Sequence, residues 1–161
     1  MVDLYVNRDQ HSFSTQVTDL DNIQNPSIHS LLSSKYHEAQ MHRLNIHAEI
    51  PDPVTHNYLT DLDLAVVLGH LMDNAIDGAR KASEGFISLA YFDEEDCQSF
   101  IIESTIAEEQ VPLSMMSTQL SHPEGGIGVN AVQDILERYP NTSFSVRSQN
   151  HKMMQILEMR P

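Results

Sequence analysis

One segment of the sequence, residues 69–79, combines the pattern of a helix with polar side chains that could bind a cation and a phosphate. His70, Asn74 and Asp77 follow one another at spacings i, i+4 and i+7, which places them along one side of an α-helix. The side-chain oxygen of Asn74 can coordinate a hard cation such as Mg²⁺, and its NH₂ group can donate to a phosphate or a base. The segment therefore predicts a ligand site, and the solvated side of an ordinary surface helix is the alternative that these residues leave open.

A glycine cluster some fifty residues further on could form a second part of the same site. Gly125, Gly126 and Gly128 directly precede a predicted helix that begins at Val129. Glycine lets backbone N–H groups approach an anion closely, and the N-terminus of a helix carries a partial positive charge. A flexible loop that ends at a helix cap explains the same residues, because short glycine motifs often occur by chance. In combination with Asn74, the cluster predicts a nucleotide pocket.

The periodicity of the chain predicts three helices and five strands that would position these groups. Asn25 is the predicted N-cap of a first helix that runs to about Arg43, and Thr60 is the predicted N-cap of a second helix that ends before Gly85. The third helix is expected over residues 129–139. Strands are predicted at residues 46–50, 86–92, 98–106, 142–147 and 152–158, with turns at residues 93–96 and 149–151.

This order of elements predicts an α+β fold, a two-layer α/β sandwich. Strands that are joined by hairpins favour a mixed, mostly antiparallel sheet, and amphipathic helices would cover one of its faces. Residues 107–126 form an irregular connection that is long for a compact domain, and such connections are often functional lids.

Composition and charge limit the partners of the chain. The 161 residues include 9 Lys+Arg and 23 Asp+Glu, which gives a formal net charge of −14. Such a surface repels nucleic-acid backbones and anionic lipids, so we expect no nucleic-acid partner and no direct membrane contact. The same charge opposes ATP binding unless Mg²⁺ and backbone N–H groups offset it. The single cysteine excludes an internal disulfide, and the nine histidines lack the spacing of a zinc site.

The combination of motifs resembles the GHKL ATP-binding fold, the Bergerat-type fold of histidine-kinase catalytic domains and type II topoisomerases. Within this superfamily, the sequence is similar to the catalytic domain of peptide-pheromone, or quorum-sensing, sensor histidine kinases of Gram-positive bacteria. The resemblance extends from about Ile23 to the C-terminus. It rests on residues 23–26, 68–76, 101–104, 126–132 and 139–141.

The resemblance implies a role for each candidate residue. Asn74 would coordinate the Mg²⁺ that bridges the ATP phosphates, while His70 or Asp73 would orient the metal or the incoming imidazole. Ser104 and Thr105 match the place where a polar side chain recognises the adenine amino group. Residues 107–125 match the mobile ATP lid. The remaining nucleotide-binding residues that the resemblance implies are Asp77, Ser121, Gly125, Gly126 and Gly128.

The sequence departs from the family pattern at several of these positions. His70 replaces the usual asparagine, Ser104 replaces an adenine-reading Asp or Asn, and Gly125 replaces an arginine. The common lid sequence Ser-Thr-Lys-Gly reads Ser121-His122-Pro123-Glu124, so a phosphate-facing cation is missing. Contacts to charged groups contribute about 1.5–3 kcal/mol each. The departures therefore leave a second hypothesis, a degenerate non-catalytic GHKL-fold module that acts in protein–protein signalling.

The resemblance also implies partners and a cellular location. No segment matches the phosphoacceptor motif His-Asp-x-x-Asn of these kinases. We therefore expect residues 26–161 to be the ATP-binding catalytic domain of a two-component sensor histidine kinase, and residues 1–25 to be an N-terminal arm or the end of a helical linker. The catalytic domain would use ATP and Mg²⁺ and donate the γ-phosphoryl group to a histidine on a dimerisation domain absent from this chain. The expected downstream partner is a response regulator, and the expected location is the cytoplasmic portion of a membrane-anchored sensor.

Overall fold

The computed structural model describes residues 19–111 and 128–161, which form one layer of helices on one sheet. None of the helices in this part of the chain combines the length and the apolar composition that a membrane span requires. The helices are α1 Pro26–Met41, α2 Asp61–Lys81 and α3 Gly128–Glu137. The strands are β1 Asn45–Glu49, β2 Phe86–Glu94, β3 Cys97–Thr105, β4 Thr142–Gln149 and β5 Lys152–Met159.

The five strands form one mixed sheet in the order β1-β2-β3-β5-β4. Strands β1 and β2 are parallel, and all other neighbours are antiparallel. A parallel pair needs a crossover connection, which α2 supplies between β1 and β2. The predicted α+β fold with a mostly antiparallel sheet is confirmed.

The core lies between α2 and one face of the sheet. Alternate residues of β2, β3 and β5 are buried, and α2 contributes nine buried residues. Helix α2 contacts β2 and β3, while α1 and α3 each pack against α2. Leu20 and Ile23, from the predicted N-terminal arm, are also buried in this core, and the boundary at residue 26 stays a prediction. Each fully buried large aliphatic side chain contributes about 1.5–3 kcal/mol, so α2 is held firmly in place.

Local side-chain chemistry starts both long helices where the sequence predicts. The Asn25 side chain accepts hydrogen bonds from the backbone N–H groups of Ser27 and Ile28. The Thr60 side chain accepts one from the N–H of Asp63. These bonds satisfy donors that have no partner inside the helix. Asn25 Nδ2 also donates to Asp61 Oδ1 at 2.8 Å, which joins the starts of α1 and α2.

One predicted turn is shorter in the structure. The sequence places an acidic turn over residues 93–96, but Asp93 pairs with Gln98 and Glu94 pairs with Cys97, which leaves a two-residue turn. Cross-strand pairing continues because the acidic side chain of Glu94 is exposed at the end of its strand, where its low β-propensity costs little. Strand β3 also ends at Thr105, one residue before its predicted end.

Two left-handed residues make the predicted β4–β5 turn. Asn150 has φ 53° and His151 has φ 60°, the backbone signs of a type I′ hairpin turn. Asparagine adopts this conformation readily, whereas histidine does so less often. The His151 conformation is supported by hydrogen bonds to the neighbouring segment, from its backbone N–H to the Glu109 oxygen at 3.0 Å and between its Nδ1 and the Ala107 oxygen.

Gly69 lies inside α2, where the lack of a side chain costs helix stability. Among the described residues, a Cβ added there would meet Leu31 Cδ1 alone, at an ordinary 3.8 Å. We expect Gly69→Ala to raise the free energy of unfolding by about 0.5–1 kcal/mol, measured by urea denaturation. Gly78→Ala should raise the free energy of unfolding less, because its Cβ would lie 3.1 Å from Cγ2 of buried Ile106. Equal gains at the two positions would contradict this account of the packing.

Candidate functional site

Asn74 lies on α2 and faces the sheet. Its Nδ2 donates a hydrogen bond to Gln155 Oε1 on β5, at 3.3 Å. In the described part of the chain, no residue hydrogen-bonds to its Oδ1. Its side chain is half-buried, and the hydrogen bond to Gln155 restricts its direction. This arrangement leaves a carboxamide oxygen that can coordinate a hard cation.

His70 and Asp77 lie on α2 at the predicted spacing from Asn74. Both side chains are half-buried, and neither is without a partner. They therefore extend the polar row of Asn74 in both directions along the helix. Their roles in a ligand site stay predictions.

Asp73 faces α1. Its Oδ1 lies 2.6 Å from Lys35 Nζ, which also contacts Glu38 Oε2 at 3.0 Å. Burial lowers the pKa of Lys35, but the hydrogen bonds and charges of Asp73 and Glu38 outweigh it, so the net shift is upward. Lys35 is thus a cation that holds α1 and α2 together beside Asn74. The predicted catalytic role of Asp73 would have to coexist with this ion pair.

The adenine contact was expected at Ser104 and Thr105, and the structure separates these two hydroxyl groups. Ser104 is fully buried on the inner face of β3, and within the described residues its Oγ has no hydrogen-bond partner. Thr105 Oγ1 donates to the Glu84 oxygen at 2.7 Å and accepts from the Phe86 N–H at 3.0 Å. Leaving a buried hydroxyl unpaired costs about 1–3 kcal/mol, so Ser104 differs from Thr105 in its unused hydrogen-bonding capacity, and its contact with a ligand stays a prediction.

Asn74 and Gly78 lie on the side of α2 that faces the sheet, near Gln155 and the end of β3. We call this boundary, from Asn74 to Ser104, the seam. Gly78 lies one helical turn after Asn74, and a Cβ there would be 3.4 Å from the Thr105 oxygen. Gln155, the partner of Asn74, pairs with Ile102, two residues before Ser104 on the same face of β3. The seam therefore has an amide oxygen at Asn74 and a buried hydroxyl at Ser104, neither of which is hydrogen-bonded to a described residue.

The first residues of the predicted lid are attached to the β4–β5 hairpin. The Val111 N–H donates to Ser148 Oγ at 2.8 Å, and Val111 is buried with Ile106 and Met153. Most of the predicted lid, with Ser121, Gly125 and Gly126, lies outside the described residues. Gly128 is the first residue of α3. The described structure thus places the root of the predicted lid beside the end of β3.

Sequence reasoning missed an ionic cluster that joins the start of α2 to the end of α3. Asp63, only 8% exposed, accepts hydrogen bonds from Tyr139 Oη at 2.6 Å and Arg138 Nη2 at 2.8 Å. Tyr139 Oη also accepts from the Thr60 N–H at 3.2 Å. The Tyr139 hydrogen bond lowers the pKa of Asp63 most; Thr60 and Arg138 lower it further, and burial opposes them. The chain spacing between these groups gives no signal for the cluster.

Gln155 and Lys35 were also missed, although one signal was present. Gln155 occupies an inward position of β5, in a row with Met153, Leu157 and Met159. Most polar residues in such a row are hydrogen-bonded to a specific partner, which could have marked Gln155 as part of a site. Lys35 lies on an amphipathic helix, where a charged residue carries no comparable signal.

Comparisons with known proteins concern the family and the fold of the chain. A family model described as a GHKL domain matches residues 59–160. The catalytic domain of the histidine kinase ThkA is similar in structure, with a TM-score of 0.67, 14% identity and coverage of 85% of this chain and 91% of that chain. No curated protein was found to match the sequence significantly.

Two further solved structures have the same fold. The Acinetobacter baumannii histidine kinase AdeS has a TM-score of 0.61 and 16% identity, over 83% of this chain and 62% of that chain. The mycobacterial sensor histidine kinase MprB has a TM-score of 0.57 and 11% identity, over 81% of this chain and 92% of that chain. At these identities, the matches show a shared fold alone.

Proposed function

Because the chain belongs to the GHKL domain family, we propose that it binds Mg²⁺-ATP along the seam between α2 and the end of β3. GHKL domains bind ATP, usually with Mg²⁺. The observation that carries the proposal is that Ser104 Oγ and Asn74 Oδ1, on the same seam, have no hydrogen-bond partner among the described residues. A ligand that offers a donor or acceptor to Ser104 and a cation to Asn74 would satisfy both groups.

The residues present fit an Mg²⁺-nucleotide. Asn74 Oδ1 would hold the metal, Ser104 Oγ would contact the adenine, and the backbone around Gly126 and Gly128 would bind phosphate oxygens. Bound Mg²⁺ would neutralise part of the phosphate charge. This neutralisation matters because the formal net charge of the chain, −14, repels the phosphates of a nucleotide.

The proposal extends to phosphoryl transfer within a two-component system. The γ-phosphoryl group would pass to a histidine on a separate dimerisation domain and then to a response regulator. His70, one turn before Asn74, would orient the incoming imidazole. The sequence resemblance supports a sensor kinase of the Gram-positive peptide-pheromone class, with this domain in the cytoplasm, where ATP is supplied.

Calorimetric titration with a non-hydrolysable ATP analogue, with and without Mg²⁺, tests the binding. We expect a dissociation constant on the order of micromolar to sub-millimolar that requires Mg²⁺. A guanine analogue, which lacks the adenine amino group, is the matched control and should bind more weakly. If a folded sample gives no heat up to millimolar nucleotide, the proposal fails in favour of the non-catalytic signalling module.

Ser104→Ala separates binding from folding. The substitution removes a buried hydroxyl that no described residue satisfies. We expect the free energy of unfolding to stay the same or to rise by about 1 kcal/mol, while affinity for the analogue falls by about three- to tenfold. The control is Ser88→Ala, on β2 at the face of the sheet opposite to Ser104, and it should change neither quantity. Loss of stability without loss of affinity would show that the Ser104 hydroxyl serves the fold.

A further inference from the structure

Gln155 is a buried amide in the middle of the sheet, directly beside α2. Only 1% of its surface is exposed, and its neighbours across the strands are Ile102 on β3 and Val146 on β4. A methionine or leucine would fill this position without having to satisfy polar atoms. The hydrogen bonds of Gln155 therefore indicate what the amide contributes.

Both ends of the Gln155 amide bond to α2. Its Nε2 donates to the Leu71 backbone oxygen at 3.0 Å, and its Oε1 accepts from Asn74 Nδ2 at 3.3 Å. A backbone carbonyl can only accept, so Gln155 has to direct its NH₂ group to Leu71. Its Oε1 then faces Asn74, and because this oxygen can only accept, Asn74 has to direct its NH₂ group to the sheet. The Leu71 carbonyl thus determines the direction of both hydrogen bonds.

This chain of hydrogen bonds decides which end of Asn74 is available to a ligand. With Nδ2 bound to Gln155, the Oδ1 atom is the end left without a partner among the described residues. A cation coordinates oxygen, whereas an amide NH₂ group presents protons to it. A carboxamide without this restraint could turn by a half-rotation and present the wrong end.

We propose that Gln155 is a positioning residue, which holds Asn74 with its oxygen directed at the nucleotide-bound Mg²⁺. The inference rests on the proposed function, since it concerns the metal of the Mg²⁺-nucleotide. It assigns a role to a residue that does not itself touch the nucleotide or the metal. Groups that orient a metal ligand in this way commonly change metal affinity by 10- to 100-fold when removed.

Gln155→Met tests the proposal, because methionine keeps the length of the side chain and removes both hydrogen bonds. The measurement is affinity for the non-hydrolysable ATP analogue with Mg²⁺ and with a chelator. We expect the Mg²⁺-dependent gain in affinity to fall by about tenfold, with affinity in chelator unchanged. Gln98→Met is the matched control. Gln98 is a fully buried glutamine on β3, bonded to Tyr91 and to the His56 oxygen, away from Asn74. It should leave the Mg²⁺-dependent gain intact.

A second background shows whether Gln155 acts through the direction of Asn74. In Asn74→Asp, both ends of the side chain are oxygens, so a half-rotation changes nothing, and Gln155 Oε1 no longer has a donor at this position to hold. Gln155→Met should therefore cost Mg²⁺-dependent affinity in the wild-type chain and none in the Asn74→Asp chain. An equal loss in the two backgrounds, or a parallel loss with and without Mg²⁺, would mean that Gln155 only supports the fold.

The outcomes separate this inference from the proposed function. If the wild-type chain shows no Mg²⁺-dependent binding, both proposals are wrong. If it does and Gln155→Met binds as the wild type does, only the inference is wrong. A measurement that needs no variant is hydrogen exchange of the Asn74 side-chain amide by NMR in the wild-type chain. The Nδ2 proton that bonds to Gln155 is expected to be protected. Exchange of both Nδ2 protons at the rate of an exposed amide would overturn the proposal even if Gln155→Met did not fold.

Discussion

Asn74→Ala is expected to remove Mg²⁺-dependent nucleotide binding while the chain stays folded. The substitution removes Oδ1, to which no described residue hydrogen-bonds, together with the 3.3 Å hydrogen bond from Nδ2 to Gln155. A contact to a charged group contributes about 1.5–3 kcal/mol, which corresponds to a loss of affinity of about 10- to 150-fold. Calorimetry with the ATP analogue and Mg²⁺ measures this loss, and circular dichroism checks the fold.

The control for Asn74→Ala is Asn45→Ala, which removes an exposed asparagine from β1 at the far edge of the sheet. It should bind the analogue as the wild-type chain does. If Asn74→Ala also retained full affinity with Mg²⁺, Asn74 would not be the metal ligand, and the proposed Mg²⁺ site on α2 would be wrong.

Asp63→Ala is expected to lower the free energy of unfolding by about 2–3 kcal/mol at neutral pH. The change leaves the Tyr139 hydroxyl without its 2.6 Å acceptor and removes the carboxylate that joins the start of α2 to the end of α3. The Arg138 contribution to this loss is small, because its side chain is 60% exposed and solvent screens the ion pair. Urea denaturation measures the difference.

The effect of Asp63→Ala should depend on pH in one direction. The folded-state pKa of Asp63 lies below its ordinary value of 3.8, so the ionised carboxyl stabilises the fold above that value. This stabilisation is lost as the pH falls through the lowered folded-state pKa. The difference between wild type and variant should therefore be constant near neutral pH and shrink in acid. Asp134→Ala, which removes an exposed carboxyl from α3, should show no such difference. A gap that widened in acid would contradict the role of the charged carboxyl.

The sequence by itself determined the elements and their ends wherever the cause is local. The caps at Asn25 and Thr60 bond to backbone groups within three residues, and the Asn150–His151 turn depends on the conformations of two adjacent residues. Such interactions depend on residues within a few positions of one another, so propensity and pattern predict them. The Asn74 row on α2 was predicted for the same reason, since helical spacing is local.

Only the tertiary structure decided which partners these residues meet. Strand order places β5 between β3 and β4, which brings Gln155 to Asn74 from 81 positions away, and Tyr139 reaches Asp63 from 76 positions away. Ser104 and Thr105 are adjacent in sequence but lie on opposite faces of β3. The Thr105 hydroxyl is hydrogen-bonded there, whereas that of Ser104 has no partner among the described residues. These outcomes depend on how the whole chain packs, because distant groups are brought together by the burial of the core and no local spacing encodes their contact.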